Sequence, residues 1–299
     1  MKTILVTGGT VFVSRAAAEY FVAKGWEVYV LNRNSRTQPT GAKLIEADRH
    51  RLGDILRGYR FDAVIDTAYT AEDVTLLMDA LGDFGEYILI SSSAVYPESG
   101  TQPFREEEPV GANCYWGRYG TDKIEAEAAL LKRKPDAYIL RPPYLYGPMN
   151  DIYREAYVFE CAKKDRPFYL PKDGTMGLQF FYVGDLCRFI DVILQKKPEQ
   201  HLLNVGNPNA VSIREWVELC YETVGKRARF ISVAKDVPQR NYFCFSDYEY
   251  MLDVTGQSRW MPDTKPLREG LREAFLWYEG HADQVERRPY IEYVDEHLA

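Results

Sequence analysis

The run Thr3-Ile4-Leu5-Val6-Thr7-Gly8-Gly9-Thr10-Val11-Phe12-Val13-Ser14 decides the fold. Residues 3–7 predict a short buried strand that stops at two glycines. Residues 12–24 then place Ala16, Ala17, Tyr20 and Phe21 at helical spacing, and Gly25 closes the helix. A strand that passes through a glycine turn into a helix opens a βαβ unit. At such a junction the exposed N–H groups and the helix dipole favour a pyrophosphate. Gly8 and Gly9 let the backbone turn tightly and approach the ligand, and Thr10, Val11, Phe12 and Val13 complete the turn. A strict Gly-rich fingerprint would also have glycine at 11 and 14, where this chain has Val11 and Ser14. The alternative is a plain strand-to-helix turn, and the early position in an α/β pattern favours the nucleotide.

Outward from that turn, strands are predicted at 26–31, 43–45, 62–66, 87–91 and 137–140, with helices at 74–81 and 116–131. Strands alternating with helices predict an α/β, Rossmann-type doubly wound parallel sheet. After Gly147-Pro148 the pattern breaks into short strands, loops and helices near 212–224 and 267–279. The expected organisation is a dinucleotide-binding domain at 1–148, to which about 180–206 return. Residues 149–179 and 207–299 form a smaller α/β substrate lobe.

Composition narrows the class. Hydrophobic residues make up 46% and charged residues 27%, an ordinary globular balance. The net charge of −7, with no basic run beyond short pairs, argues against a nucleic-acid partner. Five cysteines without a C-x-x-C pair, and four scattered histidines, give neither a disulfide framework nor a metal site. Gly8 and Gly9 cut the first apolar run too early for a signal peptide, and no run reaches the roughly 18 residues needed to span a bilayer. A cytoplasmic location is expected, with no membrane partner.

The second strand ends at Asn32-Arg33, where an acidic residue would bind the adenine ribose and repel a 2′-phosphate. A neutral residue followed by a cation leaves both NAD and NADP open, and a solvated loop charge is the alternative for Arg33. Asp48-Arg49 follows the third strand and could face the adenine. Thr67-Ala68 ends the fourth, where small residues would let a cofactor lie flat.

Tyr119-Gly-Thr-Asp-Lys123 opens a long helix. Residues four apart share a helix face, so the Lys123 ammonium would stand beside the Tyr119 phenol and favour its ionised form. That makes Tyr119 an acid or base for interconverting an alcohol and a carbonyl. Ser91-Ser92-Ser93 ends the fifth strand and offers a hydroxyl to the same substrate oxygen.

In order and spacing these segments resemble the extended short-chain dehydrogenase/reductases, the NAD-dependent epimerase/dehydratase family. The resemblance rests on Thr7-Gly8-Gly9, Ser91-Ser92-Ser93-Ala94-Val95-Tyr96, Tyr119-x-x-x-Lys123, Leu140-Arg141-Pro142-Pro143-x-x-Tyr146-Gly147-Pro148, Tyr182-Val183-x-Asp185-Leu186 and Asn204-Val205-Gly206. It implies Tyr119 as catalytic acid/base, Lys123 as its partner and Ser92 as the catalytic serine, with Ser93 the fallback. It also implies cofactor contacts from the Gly8–Val13 turn, Ser91, Pro142 and Pro143, substrate contacts from Ser93 and Tyr144, and a homodimer through helices 74–81 and 116–131.

Family dehydratases carry an acidic residue just after the catalytic serine, and Ser93-Ala94 stands here instead. That pattern looks more like 4-epimerases and simple reductases. Tyr144 replaces a common substrate-binding Asn, and Leu178-Gln179 stands where the family often has Arg-Asp, whose Arg grips a diphosphate. Arg240, Arg154 or Lys172 are the candidate substitutes. The expected function is NAD(P)-dependent epimerisation of a sugar or nucleotide sugar through a transient ketone. The alternatives are a reductase of another carbonyl and a non-catalytic nucleotide- or RNA-binding relative.

Overall fold

The computed structural model describes residues 1–233 and 236–299. The chain divides into two compact units. The first comprises Met1–Pro143, Val183–Gly206 and Leu252–Asp263, and the second Tyr144–Tyr182, Asn207–Met251 and Thr264–Ala299.

In chain order the first unit carries β1 (Thr3–Thr7), α1 (Phe12–Ala23), β2 (Glu27–Asn32), β3 (Lys43–Glu46), β4 (Arg60–Asp66), α2 (Ala71–Ala80), β5 (Asp83–Ile90), α3 (Arg118–Arg133) and β6 (Tyr138–Arg141). The second unit then takes β7 (Tyr144–Tyr146), α4 (Glu155–Lys163), β8 (Phe168–Pro171), β9 (Gly177–Leu178) and β10 (Phe180–Tyr182). The chain returns to the first unit with α5 (Val183–Lys196) and β11 (Leu202–Asn204). It leaves again for β12 (Val211–Ser212), α6 (Ile213–Thr223) and β13 (Phe230–Val233). Helix α7 (Thr255–Ser258) belongs to the first unit, α8 (Leu267–His281) and α9 (Tyr290–His297) to the second.

Seven strands pair side by side in the order β3-β2-β1-β4-β5-β6-β11, all parallel. The order reverses between β1 and β4, the switch point at whose carboxyl ends doubly wound sheets take their ligands. Ile4, Leu5 and Val6 are fully buried, as a strand covered on both faces requires. On one face Val74, Leu77 and Ala80 of α2 and Ala126 and Leu130 of α3 pack on Leu5, Val64, Leu89 and Ile139. Helices α1 and α5 meet through Tyr20, whose hydroxyl donates to Asp191 at 3.1 Å.

The sequence boundaries shift in three places. The first unit ends at Pro143 rather than 148. Residues 180–182 pair with β7 inside the second unit rather than returning to the large sheet. Residues 252–263 rejoin the first unit, where Leu252 bridges Phe104 and the Gln257 amide bonds Gly206 in both directions. A four-residue helix has too little periodicity to announce that return.

Candidate functional site

At the carboxyl end of β1 the chain turns at Gly8 (φ +80°) and Gly9 (φ +79°). A Cβ on Gly9 would lie 2.4 Å from the Val30 side chain, so only glycine lets the turn press on β2. The turn is braced rather than loose. Asn32 donates its amide to the Gly8 carbonyl at 2.7 Å, and the Ser14 hydroxyl donates to the Val11 carbonyl at 2.9 Å. Ser14 therefore ties the turn down where a strict Gly-rich fingerprint has glycine. Val11 caps α1, and Thr10, Val11 and Val13 stay half-buried beside the helix N-terminus while Phe12 is buried. The two glycines fit the close approach of a pyrophosphate, and the N–H groups of α1 would hold it.

Other expected cofactor contacts fall into two groups. Arg33 is exposed beyond β2, and Asp48 caps a short turn by accepting the His50 N–H at 3.0 Å. Arg49 instead turns inward and ion-pairs with Asp66, which is fully buried at the end of β4. Asp66 also accepts the Thr7 hydroxyl at 2.7 Å, the Tyr87 hydroxyl at 2.6 Å and the Ala68 N–H at 3.1 Å. The Thr67 N–H donates to the Thr7 hydroxyl at 3.0 Å. Arg49 is thus paired with a buried carboxylate while its side chain keeps some exposure.

Helix α3 brings Tyr119 and Lys123 onto one face. Lys123 is 3% exposed and Tyr119 is 39% exposed. The Lys123 ammonium donates to the carbonyls of Ala68 (2.6 Å) and Ile90 (2.9 Å), at the ends of β4 and β5, and lies 4.8 Å from the Tyr69 ring centre. The Tyr69 and Tyr119 rings stand 5.9 Å apart. Burial pulls the Lys123 ammonium down to about 8, against the pull of Asp66, Glu127 and Asp73. Tyr69 is 60% exposed and escapes a reading of the sequence. A lone tyrosine in a loop carries no such signal.

Gly120 sets the start of α3 against the turn that holds the serines. A Cβ there would lie 2.4 Å from the Ala94 carbonyl, so α3 begins in direct contact with the turn after β5. Gly120→Ala is expected to push the helix start away, costing about 1–3 kcal/mol in stability and roughly a hundredfold in turnover. Urea melts and steady-state rates check this, and a variant with normal turnover would show that the contact is not needed.

In that turn Ser92 accepts the Ala94 N–H at 3.2 Å, and the Ser93 N–H donates to the Pro142 carbonyl at 2.9 Å. The Ser91 hydroxyl is buried and donates to Glu127. Glu127 is held by Arg141 in a bidentate pair at 3.0 and 2.6 Å, and Arg141 also donates to the Tyr96 hydroxyl at 2.9 Å. Tyr96 passes the network on to Asn204 at 2.8 Å. Sequence reading misses this buried array, although Glu127 continues the four-residue row begun by Tyr119 and Lys123.

In the second unit Tyr144 is 5% exposed and packs against Phe245 (ring centres 4.5 Å) and Tyr250 (5.5 Å). The Arg154 guanidinium lies 5.1 Å from its ring centre. Burial pushes the Tyr144 phenol well above its usual range. Arg240 donates to the Phe243 and Cys244 carbonyls, and Lys172 pairs with Asp247.

Among the described residues no three metal-ligating side chains stand together, and no helix is long and apolar enough to cross a membrane.

The chain is 26% identical to the chloroplast stem-loop binding protein of 41 kDa b of Arabidopsis thaliana, over 92% of this chain and 78% of that protein. It is also 26% identical to a dTDP-4-dehydro-6-deoxy-D-allose reductase of a Streptomyces species, over 94% and 97%. The UDP-glucuronic acid 4-epimerase of Bacillus cereus, solved with UDP-glucuronic acid and NAD, shares the fold at a TM-score of 0.71 and 18% identity, over 93% and 99%. The model of the NAD dependent epimerase/dehydratase family matches residues 4–206, and the chain belongs to that family.

Proposed function

We propose that this protein is an NAD- or NADP-dependent epimerase of a sugar, with a nucleotide sugar as the substrate class. The observation that carries the reading is the Tyr119–Lys123 pair. Its ammonium is fastened to the carboxyl ends of β4 and β5, in the sheet whose β1 feeds the Gly8-Gly9 turn. The bound nicotinamide supplies a hydride acceptor and donor. Tyr119 takes the proton from the sugar hydroxyl and returns it to the ketone oxygen. Lys123 sustains the phenolate, and Ser92 hydrogen-bonds the same oxygen. No carboxylate follows Ser92 to remove a proton from carbon, which disfavours dehydration.

A 4-epimerase among the structures of this fold supports the reading. The reductase relative favours a second one, net reduction of a keto sugar. Denaturing freshly purified protein distinguishes them by absorbance and mass of what is released. Stoichiometric NAD or NADP is expected, because an epimerase regenerates its cofactor each turnover. A cofactor that exchanges freely supports the reductase, and no dinucleotide binding at all sinks both. That last outcome would favour a binding role like the one named for the stem-loop binding relative.

Turnover should fall above about pH 8 as the Lys123 ammonium is lost. Stability responds oppositely. Between about 8 and the ordinary lysine value of 10.5 the unfolded chain holds this proton and the folded chain does not. The Lys123 contribution to stability therefore rises with pH across that window. Urea midpoints of wild type and Lys123→Met from pH 7 to 10 check the sign. Parallel curves would contradict the buried ammonium.

We place the enzyme in the cytoplasm, consistent with five unpaired cysteines. We also propose a homodimer through the outer faces of α2 and α3, whose inner faces are spent on the sheet. A monomeric mass in solution would refute it.

A further inference from the structure

We propose that Asp66 is a positioning residue that fastens the nucleotide turn and the Tyr119–Lys123 pair into one unit. The proposal rests on the reading of those two residues as the acid/base pair. Asp66 sits at the reversal of strand order, fully buried, with both oxygens committed. One side of its contacts reaches Thr7, the residue before Gly8. The other holds the Ala68 N–H, and the Ala68 carbonyl in turn receives the Lys123 ammonium. The Tyr87 hydroxyl from β5 and the Arg49 guanidinium fix the carboxylate from two further sides. A movement of this one group would therefore displace both the pyrophosphate turn and the Lys123 anchor.

Asp66 also sets the charge around Lys123. The groups facing that ammonium are Asp66 from β4, Asp73 from α2, Glu127 from α3, Tyr69 from the loop after β4, and Arg49. Glu127 is already paired with Arg141, and Asp73 closes the capping box of α2 with Thr70. Among the carboxylates, Asp66 exerts the largest pull that keeps Lys123 protonated.

The test uses the full chain and two readouts independent of turnover. Lysine labelled with 13C at Cε, assigned with Lys123→Met, gives the Lys123 titration midpoint by NMR. Titration with NAD gives cofactor affinity. The double variant Asp66→Asn/Arg49→Gln removes both charges and avoids an unpaired buried ion. Its Lys123 midpoint should drop below the wild-type value of about 8 by about one pH unit. NAD should bind roughly tenfold more weakly. A cooperatively melting variant with an unmoved midpoint overturns the proposal, because a merely structural hub would leave that titration in place. If the double variant does not fold, Arg49→Gln alone decides by the opposite sign. Arg49 itself opposes the Lys123 ammonium, so its loss beside a still-ionised Asp66 should raise the midpoint, and an unmoved one again overturns the proposal. The acid/base reading fails separately, through a Tyr119→Phe protein that keeps its turnover.

Discussion

Tyr119→Phe is expected to lower turnover by about 10²–10⁴-fold while leaving NAD affinity nearly unchanged. The substitution removes one oxygen and keeps the ring, so the contact with Tyr69 persists. Lys123 loses no anchor, because its ammonium is held by the Ala68 and Ile90 carbonyls rather than by the phenol. The partly exposed position of Tyr119 predicts a stability change within about 0.5 kcal/mol. Loss of rate without loss of fold or cofactor is the signature of a proton-transferring group. The comparison needs a panel of UDP- and dTDP-sugars, rates for the substrate that wild type turns over, and NAD titrations of both proteins. A variant with wild-type rate would remove Tyr119 from the chemistry.

Much of the frame is legible in the sequence, because the signals that build it are local. A fully apolar strand, two glycines and an amphipathic helix announce β1, the turn and α1. The four-residue spacing announces the shared face of Tyr119 and Lys123. What escapes depends on contacts between distant residues. Arg49 reads as a residue beside the adenine, and only β4 brings Asp66 beneath it. Ser91 reads as a cofactor contact beside the catalytic Ser92, with no local sign of Glu127. Only the burial of the strand end turns its hydroxyl toward Glu127 and leaves Ser92 half-buried in the turn. Gly120 has no local reason to be glycine, since its neighbour is a carbonyl 26 positions earlier in the chain. The packing of Tyr144 against Phe245 and Tyr250 joins residues more than 100 positions apart, which no local pattern announces.

Glu127→Ala is expected to destabilise the fold by about 3–5 kcal/mol, the range for breaking a buried ion pair. The cost lies in what is left behind. Arg141 is 3% exposed, and its partner carboxylate makes it hold its proton more tightly than an ordinary guanidinium does. With Glu127 gone it has no neutral form to retreat to. The Tyr96 hydroxyl would be left to receive its hydrogen bond, and Ser91 loses its acceptor at the same stroke. Arg141→Met should cost less, because the Glu127 carboxyl can take a proton and still receive the Ser91 hydroxyl. The double variant Glu127→Leu/Arg141→Met should recover part of the loss, since neither ion is then stranded. Urea denaturation of all three proteins measures the asymmetry. A Glu127→Ala protein within about 1 kcal/mol of wild type would mean that the network relaxes or admits water. In that case the row Tyr119, Lys123, Glu127 would serve the site through its shared face alone, without a rigid base beneath it.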